Sequence, residues 1–181
     1  MSVKTIGILM PGDMGHGCGK FFLDNKLSVI TALDERSDRT KKLSELAGIE
    51  NVGSVTNIVK YSDIILSIIP PEYALEQAKQ VNKVILKNKK LITYIDCNAI
   101  SPKTSKKIDK VISSKFCNFI DAGIIGLNPI VEKGQTRLYV SGPNTKPVKI
   151  LDNKGFQIKD LGEEIGKASA MKMVYASATK G

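Results

Sequence analysis

The chain has 181 residues, of which 42% are hydrophobic and 25% charged. These proportions belong to a folded globular protein and exclude a disordered or collagen-like chain. The length suits one domain, or one domain and the start of a second, and needs no disulfide or structural metal to fold. Lysine and arginine number 27 against 18 acidic residues, a net charge of +9. Arg36, Arg39 and Arg137 are the only arginines, and the lysines run along the whole chain rather than in one stripe. That distribution sets nucleic-acid binding aside. His16 is the single histidine, and Cys18, Cys97 and Cys117 are far apart with no CxxC pair. This excludes His-based metal clusters and argues against a zinc site, a Ser-His-Asp triad and a disulfide frame. No apolar run approaches the roughly 20 residues of a membrane span, and no signal peptide is visible at the start. A cytoplasmic location follows as the expectation.

In chain order, apolar β-rich runs fall at 3–10, 27–33, 64–69, 91–95, 116–120, 138–140 and 156–161. The middle ones lack polar alternation, as strands buried on both faces do. Helix-length segments at 39–47, 72–86 and 102–112 lie between them. Strand alternating with helix predicts a mostly parallel sheet covered on both sides. Ser101-Pro102 reads as an N-cap with proline in the first helical position. Pro70-Pro71 ends a strand, and Glu72 sits in the next first turn. From Gly162 the text changes to a helical stretch rich in small residues, GEEIGKASAMKMVYASATKG.

Five of the fifteen glycines lie between Gly7 and Gly19, directly after the first strand. A strand-to-helix turn without Cβ atoms lets a diphosphate reach the backbone, where free N–H groups and the positive end of the helix dipole receive it. Gly12 and Gly15 fit the second and third glycines of G-x-G-x-x-G, while Met10 stands in the first position. Gly12, Asp13 and Met14 are the candidate diphosphate contacts. Gly17 and Gly19 fall inside the helix, which asks for close packing on the sheet or a ligand, or for mere tolerance. After the second strand comes ALDERSDRTKK. A carboxylate there binds the adenosine ribose, whereas an arginine receives a 2′-phosphate. Glu35 serves the first possibility, and Arg36 with Ser37 the second. The balance favours NADP(H), with NAD(H) as second choice. Alternatively the segment is a solvated loop with Asp38 as N-cap of the next helix.

These features, with SIIPP at 67–71, DCNAISP at 96–102, DAGIIG at 121–126 and GKASAMKMVYASATKG at 166–181, resemble the N-terminal domain of the β-hydroxyacid dehydrogenases. That family includes 6-phosphogluconate and 3-hydroxyisobutyrate dehydrogenases. The resemblance spans essentially the whole chain. It implies an α/β fold of Rossmann type, doubly wound, ending in a long inter-domain helix. It also implies a dinucleotide-binding domain over 1–162, with 163–181 opening that helix and a second, helical domain missing. The implied chemistry is hydride transfer between NAD(P) and a carbon whose hydroxyl lies β to a carboxylate. Lys172 is the implied general acid/base, with Lys167 and Lys180 as rival positions, and Pro70 and Asn98 would border the nicotinamide. A homodimer is implied for a full-length form.

Three positions depart from the family pattern. Ala176 stands where asparagine follows the lysine by one turn, Ile125-Gly126-Leu127 replaces Ser-Gly-Gly, and Ala99 takes a position often held by asparagine or threonine. The cofactor half of the pattern is therefore better kept than the substrate half, and neither phosphogluconate nor hydroxyisobutyrate is the expected substrate. The alternative is a non-catalytic NAD(P)-binding module.

Overall fold

A computed structural model describes residues 5–180. The first residues of the expected opening strand, the terminal Gly181 and the side chain of Lys180 lie outside the described residues. Eight strands form one sheet: β1 (Thr5–Leu9), β2 (Ser28–Thr31), β3 (Glu50–Asn51), β4 (Ile64–Ser67), β5 (Ile92–Asp96), β6 (Cys117–Ile125), β7 (Arg137–Ser141) and β8 (Gln157–Asp160). Their order across the sheet is β3-β2-β1-β4-β5-β6-β7-β8. The first six pair in parallel, β7 runs antiparallel to β6, and β8 is parallel to β7. The order reverses between β1 and β4, which opens a crevice outside the strand ends at that point.

Side chains from each central strand go alternately to two cores. Ile64 and Leu66 join the layer beneath helix α1 (Asp13–Asp24), together with Ile6, Ile8, Cys18 and Phe22. Ile65 joins the layer on the opposite face. There it meets α3 (Val55–Tyr61), α4 (Ala74–Asn88) and α5 (Pro102–Ile112) through Ile58, Val81, Ile85 and Ile108. This two-sided burial is why the strands read as unbroken apolar runs.

Local signals set the helix ends. Ser101 Oγ accepts from the Thr104 N–H, with Pro102 as the first helical residue of α5. Helix α2 (Asp38–Ala47) is capped by Ser37, whose Oγ accepts from the Thr40 N–H at 3.3 Å. The cap is therefore Ser37 and not Asp38. Asp38 is already helical, and its charge sits in the first turn, favourable to the dipole. A 3-10 turn, Pro71–Tyr73, precedes α4. The helix thus starts two residues after Glu72, which lies in the 3-10 turn instead.

The last helix, α6 (Lys167–Lys180), begins four residues after 163. Gly162 and Gly166 take positive φ of 90° and 102°, so the chain turns twice before it can enter a helix. Buried polar side chains of the sheet fix the helix in place, and the Ala168 N–H donates to Ser141 Oγ of β7 at 3.1 Å. Asp121 of β6 accepts from Ser105 Oγ (2.8 Å), Ser141 Oγ (3.1 Å), Ser169 Oγ (2.5 Å) and the N–H groups of Gly166 and Ser169 (both 3.0 Å). Two residues on, β6 and α6 nearly touch. A Cβ on Gly123 would lie 2.9 Å from Lys172 Cβ and 3.0 Å from the Ala168 carbonyl.

Asp121→Ala leaves three buried hydroxyls and two buried N–H groups without their acceptor. Urea unfolding should show a loss of roughly 3–5 kcal/mol, well beyond that of a surface Asp→Ala change.

Candidate functional site

The site begins at the turn between β1 and α1. Met10 is held at φ 56°, in the left-handed region, and its carbonyl accepts from the Gly12 N–H at 2.8 Å. The missing first glycine is thus replaced by a residue forced into the backbone geometry glycine adopts freely, at a cost of about 1 kcal/mol. Gly12 is the N-cap of α1 and brings no side chain to satisfy the first N–H groups. A Cβ built on Gly12 would meet nothing within 4 Å, so the space over the helix N-terminus is open. A Cβ on Gly15 would sit 3.1 Å from the Met10 carbonyl, so this glycine closes the turn. Gly19 is packed on Ile49 and Ile8, and Gly17 on Asn128. Neighbouring side chains therefore explain both helical glycines.

Asp13 forms a two-pronged ion pair with Arg39 of α2, at 2.6 and 2.8 Å. The guanidinium holds the Asp13 carboxyl below the usual carboxylate range. This pair, 26 residues apart in sequence, was not legible beforehand.

The loop after β2 faces a cleft of about 430 Å³ floored by Met10, Ala32 and Ile69. Glu35 and Arg36 line it, and Glu35 also takes a left-handed φ, 61°. Arg36 Nε is buried without a hydrogen-bond partner. Gln77 of α4 reaches the same cleft, and its Nε2 is equally buried and unpartnered. The backbone turn at 34–36 delivers Arg36, whereas Ser37 beside it is engaged in capping α2.

A second, smaller cleft of about 180 Å³ lies at the ends of β4, β5 and β6. Met14, Ile68, Asn98 and Lys172 line it, with Pro71, Cys97 and Ile124. Residues far apart in sequence thus meet across the α1 N-terminus, the strand ends and α6. Pro71, not Pro70, lines this cleft, and the Pro70 carbonyl accepts from the Tyr73 N–H. Asn98 is 3% exposed. Its Oδ1 accepts from the Ile69 N–H (2.7 Å) and its Nδ2 donates to Ser67 Oγ (3.0 Å), so it fixes the segment that forms the wall. Lys172 is half-buried and Nζ donates to the Ile124 carbonyl. Lys167 is exposed and faces Glu164 instead.

The residues fit a dinucleotide. An uncovered helix N-terminus suits a diphosphate, and two orphaned buried donors flank a cleft beside it. The thiols have no such opening: burial pushes Cys18 and Cys97 well up and Cys117 up to about 12. Cys18 packs in the core with Ile8 and Phe22. Among the described residues no group of His, Cys, Asp or Glu is arranged to hold a metal. None of their helices is long and apolar enough to cross a membrane.

Residues 5–152 match the NAD binding domain of 6-phosphogluconate dehydrogenase. The chain belongs to that family. It is 34% identical over 175 residues to an uncharacterized 28.5 kDa protein of Methanothermus fervidus, covering 97% of this chain and 65% of that protein. A conserved protein of unknown function, structurally similar to 3-hydroxyacid dehydrogenases, superposes with a TM-score of 0.84 at 26% identity. That match covers 97% of this chain and 64% of the other. The fold is also that of Mycobacterium tuberculosis 3-hydroxyisobutyrate dehydrogenase, with a TM-score of 0.79 at 16% identity over 99% of this chain and 60% of that one. The chain therefore spans just under two thirds of the length of these relatives, and its family and fold are those of dehydrogenases and reductases.

Beneath the smaller cleft lies Asp96. Burial raises its carboxyl to about 7, opposed by contacts with Asn98 and assisted by the nearby Asp121. Its Oδ1 accepts from the Asn98 N–H, and its Oδ2 has no partner. The folded state keeps a proton that the unfolded chain releases near its ordinary value of 3.8. Stability is therefore lost as pH rises from about 4 to about 7, by up to about 4 kcal/mol at ~1.4 kcal/mol per unit. Urea unfolding across that window should show Asp96→Asn gaining steadily on the wild type, with the gap constant above pH 8.

Proposed function

We infer that this chain is the cofactor-holding part of an NADP(H)-dependent oxidoreductase, with NAD(H) the second choice, acting on a substrate of the β-hydroxyacid type. The observation that carries this reading is the convergence of Met14, Asn98 and Lys172 on one cleft beside the open N-terminus of α1. The backbone N–H groups of Asp13 and Met14 receive the diphosphate, and Gly12, whose own N–H is held by the Met10 carbonyl, contacts it through the open space its missing side chain leaves. Arg36, with its unpartnered Nε, and Ser37 take the 2′-phosphate, and Glu35 takes the ribose hydroxyls when NAD is bound. When bound, the nicotinamide ring supplies the hydride acceptor or donor.

The protein's own residues do the rest. Pro70 and Asn98 border the nicotinamide, Asn98 by holding Ile69 and Ser67 in place. Lys172 takes the substrate hydroxyl proton in oxidation and returns it in reduction. Its tether to the Ile124 carbonyl aims the amine along the strand end. Residues 1–162 act as the dinucleotide-binding domain, and 163–181 open the inter-domain helix. A second domain, of the size by which the relatives exceed this chain, completes the substrate side and forms the homodimer of the full-length form.

A second reading, a non-catalytic NAD(P)-binding module, is favoured by Ile125-Gly126-Leu127 and Ala176, which offer no side-chain hydroxyl or amide to a substrate. Titration with NADPH and NADH, followed by nicotinamide fluorescence, tests the common part. Arg36→Ala should weaken NADPH by roughly tenfold or more and leave NADH within about threefold, as expected for loss of a charge-assisted phosphate contact. Equal effects on both cofactors would reject the phosphate assignment, and binding of neither would reject the function. Lys172→Met separates the two readings. It should abolish turnover of β-hydroxyacids while leaving NADPH affinity unchanged, and a wild type that binds but never turns over is the module.

A further inference from the structure

We propose that Gln77 reads the base of the cofactor, making this site selective for an adenine with a free amino edge. The inference rests on the dinucleotide function proposed above and adds a residue that the glycine turn and the β2 loop do not include.

The larger cleft has the form a nucleobase requires. Met10, Ala32 and Ile69 give it an apolar floor, against which an aromatic ring can lie flat. One wall is Tyr73, at the end of the 3-10 turn, with Glu76, Gln77 and Gln80 of α4. The opposite side of the same helix, Ala74, Ala78, Val81 and Ile85, is buried on the sheet. The helix that carries this wall is thus held against the sheet. Of the wall residues, Gln77 alone has a polar atom both buried and unpartnered, its amide Nε2.

A buried amide nitrogen without an acceptor is rare in folded proteins and marks a place where a partner is expected. A carboxamide donates through nitrogen and accepts through oxygen at neighbouring points. Adenine presents the complementary pair on two edges, a ring nitrogen that accepts beside the amino group that donates, and glutamine is the residue type that pairs with it twice. A phosphate would not use the acceptor half of Gln77, and a ribose would not need the apolar floor. Arg36, across the cleft, then serves the phosphate end and leaves the base to α4.

The test compares NADP+ with its 1,N6-etheno derivative, in which the ring N1 is blocked and the amino group carries no hydrogen. Both are titrated calorimetrically into the whole chain and into Gln77→Ala, with thermal unfolding to confirm that the variant folds. The wild type should bind NADP+ at least tenfold tighter than the etheno compound. Gln77→Ala should bring the ratio near one by weakening NADP+ alone. A discrimination that persists in the variant would assign it to bulk elsewhere in the cleft and overturn the proposal. So would a wild type that binds both compounds equally, with the dinucleotide function left standing. Binding of neither compound would overturn the proposal together with that function.

Discussion

The carboxyl group of Asp121 is the point on which the second half of the site depends. It lies inside the protein at the level where α5, β7 and the start of α6 meet, and it draws one donor each from α5 and β7 and three from the start of α6. An ordinary helix is capped by a residue just before it in sequence. Here the first turn of α6 is capped from a strand more than forty residues earlier. The cap therefore also sets the position of the helix on the sheet. Gly123 lets the two backbones close to near contact at the next turn. Lys172 follows as a geometric consequence: one turn beyond Ala168, it can only leave the interface along β6, and its amine arrives at the Ile124 carbonyl. A lysine placed by two buried constraints has a fixed direction, which an ordinary surface lysine lacks.

The other half of the site is held by backbone strain rather than by a buried charge. Met10 and Glu35 both adopt left-handed φ, and both line the cleft where β1 and β2 end. Neither is a residue type that prefers this conformation. Strain of this kind persists only where its surroundings enforce it, and it concentrates at ligand sites. At Met10 the effect is twofold. The turn keeps the shape a glycine would give it, and a thioether side chain is added to the floor of the cleft. The degenerate glycine motif is therefore altered chemically and kept geometrically.

The sequence exposed the scaffold more readily than the contacts. Strands buried on both faces leave continuous β-branched runs, so the central strands were legible. The segment 55–61 carries no helical signal in the sequence because Val55, Thr56, Ile58 and Val59 are β-branched, and β-branched residues favour strands. Close packing decides the matter: Gly7 of β1 has no room for a Cβ beside Ile58 and Ser62. The two-residue β3 is too short to carry any pattern. Among the site residues, those tied to a local turn (Gly12, Arg36, Ser37) could be found from spacing. Asp121, the Asp13–Arg39 pair and Gln77 could not, because each owes its role to partners distant in sequence. Gln77 in particular reads as one more polar residue on an amphipathic helix, and only the burial of its nitrogen distinguishes it from Gln80.

The two clefts differ in how completely this chain builds them. The larger is lined by the β2 loop and α4 over an apolar floor, and two of its polar atoms, Arg36 Nε and Gln77 Nε2, are buried without a partner. The smaller is shallow. Its wall from 68 to 71 is braced by Asn98 and its far side by α6, but the loop that follows β6 turns Leu127, Ile130 and Val131 outward, 45–59% exposed. That loop is rigid nonetheless. Asn128 Oδ1 accepts from the N–H groups of Ile130 and Val131, and its Nδ2 reaches the Asp13 carbonyl at the phosphate turn. The loop's outward apolar side chains are covered by none of the described residues. The same contact ties its position to the helix N-terminus that would hold the diphosphate. The loop after β6 and the first turn of α1 are thus joined through one asparagine, in the space that Gly17 leaves by having no side chain.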